Sequence, residues 1–155
     1  MNEGVCTIFA LRQRHMRILL LNGPNLDLLG TREPHIYGSR SFEDCLLELR
    51  TAYPQVTFNY QQSNVEGELV DLLRRSKGEQ DAVIMNPAGY SHTSVAIRDT
   101  IAVLGIPVVE VHISNIHGRE EFRHHTITGG ACVGVITGFG LEGYRLAVEH
   151  LLQRG

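Results

Sequence analysis

Tryptophan is absent, and lysine nearly so: of 14 basic residues only Lys77 is a lysine, set in the polar run Arg-Arg-Ser-Lys-Gly-Glu-Gln. Schiff-base chemistry needs a lysine desolvated in a pocket, so this composition excludes it. Cysteine is scarce as well. Cys6, Cys45 and Cys132 are odd in number, far apart and without a C-x-x-C pair, which suits reduced thiols in a cytoplasmic protein and offers neither a disulfide nor a zinc framework. A basic excess is also missing. The net charge of −3 argues against a general nucleic-acid partner, which must neutralise phosphates. No apolar run reaches the roughly 18 residues that span a bilayer, so no membrane partner is expected. Neither G-x-G-x-x-G nor G-x-x-x-x-G-K-[ST] occurs, which weakens a dinucleotide or flavin reading.

What remains is an ordinary globular chain of 155 residues with 43% hydrophobic residues, enough for one core. Residues 1–15 read as a loosely ordered N-terminal extension. Their apolar patch precedes Arg12 and Arg14, the reverse of a secretory signal. Met16 then opens a single domain, 16–155. Arg17 to Asn22 is a continuous apolar run ended by turn residues, the pattern of a strand buried on both faces. Ser41 can cap a helix carrying Phe42, Cys45, Leu46 and Leu49 on one face. Val56, Phe58 and Tyr60 alternate as an edge strand does. A helix over 65–77, a buried strand at 82–85, a helix through Ile97, Ile101 and Leu104, and a strand over 106–113 follow. Arg119 to His125 is predicted as a short helix, 132–137 as the fifth strand, and Leu141, Tyr144, Val148 and Leu151 line the last helix.

Five β-α units in a row predict an α/β fold with a five-stranded parallel sheet and right-handed crossovers. The expected strand order is 2-1-3-4-5, with ligands bound beyond the strand ends between strands 1 and 3. The loop after strand 1 is anomalous. It runs for about eighteen residues where such connections are usually about 2–6, and it concentrates Asn25, Arg32, His35 and Tyr37. Gly30 and Gly38 flank its charged part like hinges, so a functional lid is favoured over a solvated Arg32–Glu33 pair beside a packing tyrosine. After strand 3, Ser91, Thr93 or Ser94 can cap the next helix. After strand 4, Glu110 and His112 alternate to one face, where the carboxylate can orient the imidazole. Arg119 and Arg123, at i,i+4, form either a carboxylate clamp or surface pairs with Glu120 and Glu121. His112, His117, His124 and His125 lack the spacing of a metal motif.

Three of these loops, with the strand that follows them, carry a resemblance to the type II 3-dehydroquinate dehydratases, lyases of the shikimate pathway and aromatic biosynthesis. It rests on NGPNLDLLGTREPHIYG (22–38), NPAGYSHTSVAIRD (86–99), EVHISNIHGREEFRHH (110–125) and GVITGFGLEGY (134–144), and spans Arg17 to Leu152. Departures are Asp27 where asparagine is frequent, Thr126 where serine is usual, and the N-terminal extension. The resemblance implies a flavodoxin-like three-layer sandwich that converts 3-dehydroquinate to 3-dehydroshikimate by anti elimination through an enolate, with no cofactor and no metal. It implies Tyr37 as the base, Arg32 as its activator, His112 as the acid, Glu110 as its orienter and Asn25 as holder of an enolate-stabilising water. It further implies that Asn86, His92, Ile113, Ser114 and Arg123 bind substrate, that Asp99 reaches a neighbouring subunit's site, and that the assembly is a homododecamer, a tetramer of trimers.

Two other readings stay open. A flavodoxin-like receiver domain needs an aspartate after strand 3, an acidic pair after strand 1 and a late lysine; Asn86, Asn22 and no lysine occupy those places. A flavin-binding or non-catalytic scaffold module leaves the Arg/Tyr loop unexplained. With no pocket lysine expected, dehydration of 3-dehydroquinate should persist after borohydride treatment in the presence of substrate. Inactivation in that assay would implicate Lys77.

Overall fold

A computed structural model of the chain describes residues 15–31, His35 and 39–154. Residues 1–14, 32–34, 36–38 and 155 lie outside the described residues, and with them Arg32, Tyr37, Gly38 and nearly all of the expected extension.

The sheet has five parallel strands in the order β2-β1-β3-β4-β5. They are β1 (Met16–Asn22), β2 (Val56–Gln62), β3 (Ala82–Asn86), β4 (Val108–His112) and β5 (Gly134–Thr137). Helices α1 (Phe42–Ala52), α2 (Glu66–Ser76), α3 (Val95–Val103) and α4 (Glu142–Arg154) connect or follow them. Successive side chains of a strand point to opposite faces, and in β1 both sets are apolar. Ile18 and Leu20 pack with Phe42, Leu49, Tyr144 and Val148 from α1 and α4. Leu19 and Leu21 pack with Leu69, Leu73, Ile97 and Ile101 from α2 and α3. Two cores back to back explain why β1 shows no polar alternation. The expected fold class and strand order are those observed.

Local chemistry sets the element ends. Ser41 and Asp44 form a reciprocal capping box: the Asp44 N–H donates to Ser41 Oγ at 3.1 Å, and the Ser41 N–H to Asp44 Oδ2 at 3.1 Å. Of the three candidate caps for α3, Ser94 takes the role, accepting from the Ile97 N–H at 2.9 Å. Three sequence expectations are corrected. The fourth strand begins only at Val108, because Pro107 has no N–H to give a ladder. The fifth begins at Gly134, because Cys132 closes a turn on the Gly129 carbonyl at 3.1 Å. The 119–125 helix does not form: two 3₁₀ turns, Ile116–Gly118 and Glu121–Arg123, are separated by Arg119 and Glu120 in extended conformation.

The long loop after β1 is anchored over its first part. Leu26–Leu28 is a 3₁₀ turn, and Leu26 and Leu29 are buried in the core of α1 and α4. Among the described residues no helix is long and apolar enough to cross a membrane. Where β1 and β3 end, the chains nearly touch. The Gly23 N–H donates to the Asn86 carbonyl at 2.8 Å, and a Cβ at Gly23 would lie 2.5 Å from the Pro87 carbonyl oxygen. Both obstacles are backbone, so a methyl there must push the strands apart. Gly23→Ala should destabilise the fold by about 1–3 kcal/mol, read as a lowered midpoint in thermal or denaturant unfolding. An unchanged midpoint would contradict the close approach.

Candidate active site

A cavity of about 390 Å³ opens beyond the carboxyl ends of β1, β3 and β4, at the point where the strand order reverses. Its lining includes Asn25, Asn86, His92, His112, Ile113, Ser114, Arg119, Glu120 and Arg123. Seven of the residues expected at the site are therefore brought together, with Glu110 buried behind His112.

Two lining residues hold backbone conformations that side chains rarely adopt. Asn25 has φ 65° and Ala88 φ 53°, the only non-glycine residues with positive φ among those described. Strain of this kind persists where surrounding contacts impose it. The Asn25 N–H donates to Asn64 Oδ1 at 3.0 Å. The Ala88 N–H donates to Asn86 Oδ1 at 3.0 Å, which turns the Asn86 amide nitrogen the other way. Asn22 lies beside Asn86 in the sheet and accepts from the buried Tyr144 hydroxyl at 2.7 Å. Burial pushes that hydroxyl far above its ordinary pKa, so it stays protonated as a fixed donor under the cavity floor.

Glu110 and His112 point the same way along β4, and Glu110 Oε1 lies 2.7 Å from His112 Nε2. A carboxylate accepts, so Nε2 carries the proton and Nδ1 is the other ring nitrogen. His92 stacks near His112 with ring centroids 6.1 Å apart. Its Nδ1 donates to the His125 carbonyl at 2.8 Å. Burial lowers the His92 pKa; the His125 carbonyl opposes this, while His112 and Arg123 add to it. His92 is thus biased toward a neutral ring beside a chargeable one.

At the mouth, Arg119 donates to Ser114 Oγ at 3.3 Å, and Arg123 Nε donates to Glu120 Oε2 at 2.9 Å. Arg119 Nε lies 3.5 Å from the same Glu120 oxygen. The arginines pair with Glu120, and both also line the cavity. Asp99 is placed elsewhere. It is exposed on α3, paired with Arg98 at 3.1 Å, and does not line this chain's own cavity. Arg32 and Tyr37 lie outside the described residues. Among the described residues, no group of His, Cys, Asp or Glu could hold a metal ion.

Sequence reasoning missed Thr126 and Thr128 as members of the site. Both hydroxyls donate to Glu110, at 2.5 Å to Oε1 and 2.5 Å to Oε2. The available signal was two hydroxyl residues, spaced by one and followed by Gly129 and Gly130, just before the fifth strand.

Fold and site together define a flavodoxin-like α/β enzyme: a switch-point cavity holding a carboxylate-oriented imidazole and an arginine-lined mouth, equipment for acid–base work on a small anion. The sequence matches the family described as "Dehydroquinase class II" over residues 16–152. It is 49% identical over 140 residues to "3-dehydroquinate dehydratase" of Carboxydothermus hydrogenoformans, covering 88% of this chain and 90% of that one. It is 48% identical over 136 residues to "Catabolic 3-dehydroquinase 1" of Aspergillus terreus, covering 86% and 90%. A solved type II dehydroquinase from Butyrivibrio crossotus superposes with TM-score 0.85 at 41% identity, over 88% of this chain and 97% of that one. The chain belongs to the class II dehydroquinase family.

The described cysteines hold their protons near neutral pH. Burial pushes the Cys132 thiol up to about 12, with the Glu110 charge adding to it, and burial pushes Cys45 up to about 11. With Cys6 replaced by serine, the native protein should therefore resist thiol reagents at pH 8 and react fully once unfolded. Rapid labelling of the folded variant would contradict this.

Proposed function

We propose that this chain dehydrates 3-dehydroquinate to 3-dehydroshikimate by anti elimination through an enolate. Tyr37, as phenolate, takes the C2 proton, and the electron pair moves onto the C3 carbonyl oxygen. A tyrosine with an ordinary pKa of about 10 is a poor base at neutral pH, so a neighbouring cation must stabilise its anion. Arg32 has that role, since a guanidinium stays charged throughout. Asn25 holds a water against the enolate oxygen. The enolate then collapses, the C1–O bond breaks, and His112 protonates the departing hydroxyl so that it leaves as water, giving the enone. Glu110 orients His112. Asn86, His92, Ile113, Ser114 and Arg123 bind the substrate's hydroxyls and carboxylate.

The observation carrying this reading is the buried Glu110–His112 pair facing a cavity whose mouth holds Arg119 and Arg123. Membership of a family whose relatives are called 3-dehydroquinate dehydratases supports the substrate. Relatives carry the general and the "catabolic" name alike, and either route uses the same reaction. We further propose that the chain works in the cytoplasm as a dodecamer of four trimers, with Asp99 reaching a neighbouring subunit's cavity. An exposed Asp99, together with the exposed Val133 and Val135 at the β5 edge, supports a surface that meets another copy.

The test follows enone absorbance after 3-dehydroquinate is added without metal or cofactor. Product should form, and Tyr37→Phe should lower kcat by about 10²–10⁴-fold, the usual worth of a general base, while substrate binding persists. A near-native rate in Tyr37→Phe would remove Tyr37 as the base.

A further inference from the structure

Among the described residues Glu110 is the only fully buried carboxylate. A buried charge is tolerated only when donors replace the water it has lost. His112 supplies one donor to Oε1. Thr126 supplies a second to Oε1 and Thr128 one to Oε2, with the Cys132 thiol 4.0 Å from Oε2.

The two hydroxyls sit on a segment that is fixed from elsewhere. The Ile127 and Thr128 N–H groups both donate to the Ser91 carbonyl, at 2.8 and 3.4 Å. The Gly129 N–H donates to Thr126 Oγ1 at 2.9 Å, so that hydroxyl already accepts and directs its own proton to Glu110. The turn leaves no room for a side chain at Gly129, where a Cβ would lie 2.8 Å from Val135 Cγ2 and 2.9 Å from Thr126 Oγ1. Backbone contacts to the β3 loop and packing against β5 thus aim both threonines at the carboxylate.

We infer that Thr126 and Thr128 are positioning residues that hold Glu110 as an acceptor for His112, keeping a proton on Nε2 and leaving Nδ1 as the ring nitrogen for proton transfer. The consequence for catalysis rests on the acid role given to His112 above. Removing a donor leaves one carboxylate oxygen without the partner that fixes its direction, so Glu110 can turn away from Nε2 and the ring can hold its proton on either nitrogen. Among the described residues, His92 stacks near the pair and Cys132 faces Oε2, and neither is altered in such a variant.

The test reads the tautomer of the neutral His112 ring from its nitrogen NMR shifts in the ligand-free enzyme, assigned by their loss in His112→Gln, beside kcat and KM. In Thr128→Val the ring should lose its single Nε2-protonated form, its two nitrogen shifts drawing together, and kcat should fall while KM holds. Thr128→Ser, which keeps the hydroxyl, should retain the single tautomer and kcat. Should Thr128→Val fail to fold, Thr126→Val reports the same loss at Oε1. A ring that keeps its proton on Nε2 alone in the valine variants overturns the clamp. A mixed tautomer with unchanged kcat upholds the clamp and removes His112 as the proton donor.

Discussion

The pairing of β1 with β3 runs from Ile18 beside Ala82 to Asn22 beside Asn86, so both strands end at one height with an asparagine. Because β2 lies on the far side of β1 and β4 on the far side of β3, the chain leaves this point in opposite directions, and a crevice must open there. Gly23 keeps the two ends together by donating to the Asn86 carbonyl. The floor of the cavity and the entry of the long loop follow from that contact.

A sheet covered on both faces has little room for charge, yet β4 carries Glu110 in its interior. The fold accommodates it by ending β4 two residues later and bringing a threonine turn across from the far side of the 3₁₀ segment. Each carboxylate oxygen then meets a donor. The same device that makes the charge tolerable also fixes the imidazole beside it, so stability of the strand and order in the site have one cause.

The remaining polar groups are distributed by reach. Arg119 sits in extended backbone and Arg123 ends a 3₁₀ turn, a change of path that lets two long side chains converge on one Glu120 carboxylate and one cavity mouth. Had 119–125 formed a helix, the two guanidinium groups would project from one face at fixed spacing. Among the described residues, positive φ outside glycine falls only on the cavity lining, at Asn25 and Ala88.

Much of this was legible in the residues. Among the described residues, apolar runs located the interior strands, alternation located the edge strand β2, helical spacing located the helices flanking the sheet, and the alternation of Glu110 with His112 put both on one face. Local pattern determined these because backbone periods of two and 3.6 residues are encoded in neighbouring side chains. Tertiary structure alone decided that Ser91 lends its carbonyl to Ile127 and Thr128. It also decided that 119–125 breaks into turns and that Thr126 and Thr128 serve Glu110. Those outcomes depend on hydrogen bonds between groups 16 to 37 residues apart, such as Thr126 with Glu110 and Thr128 with Ser91, and no local period records which distant partner a hydroxyl or carbonyl will meet.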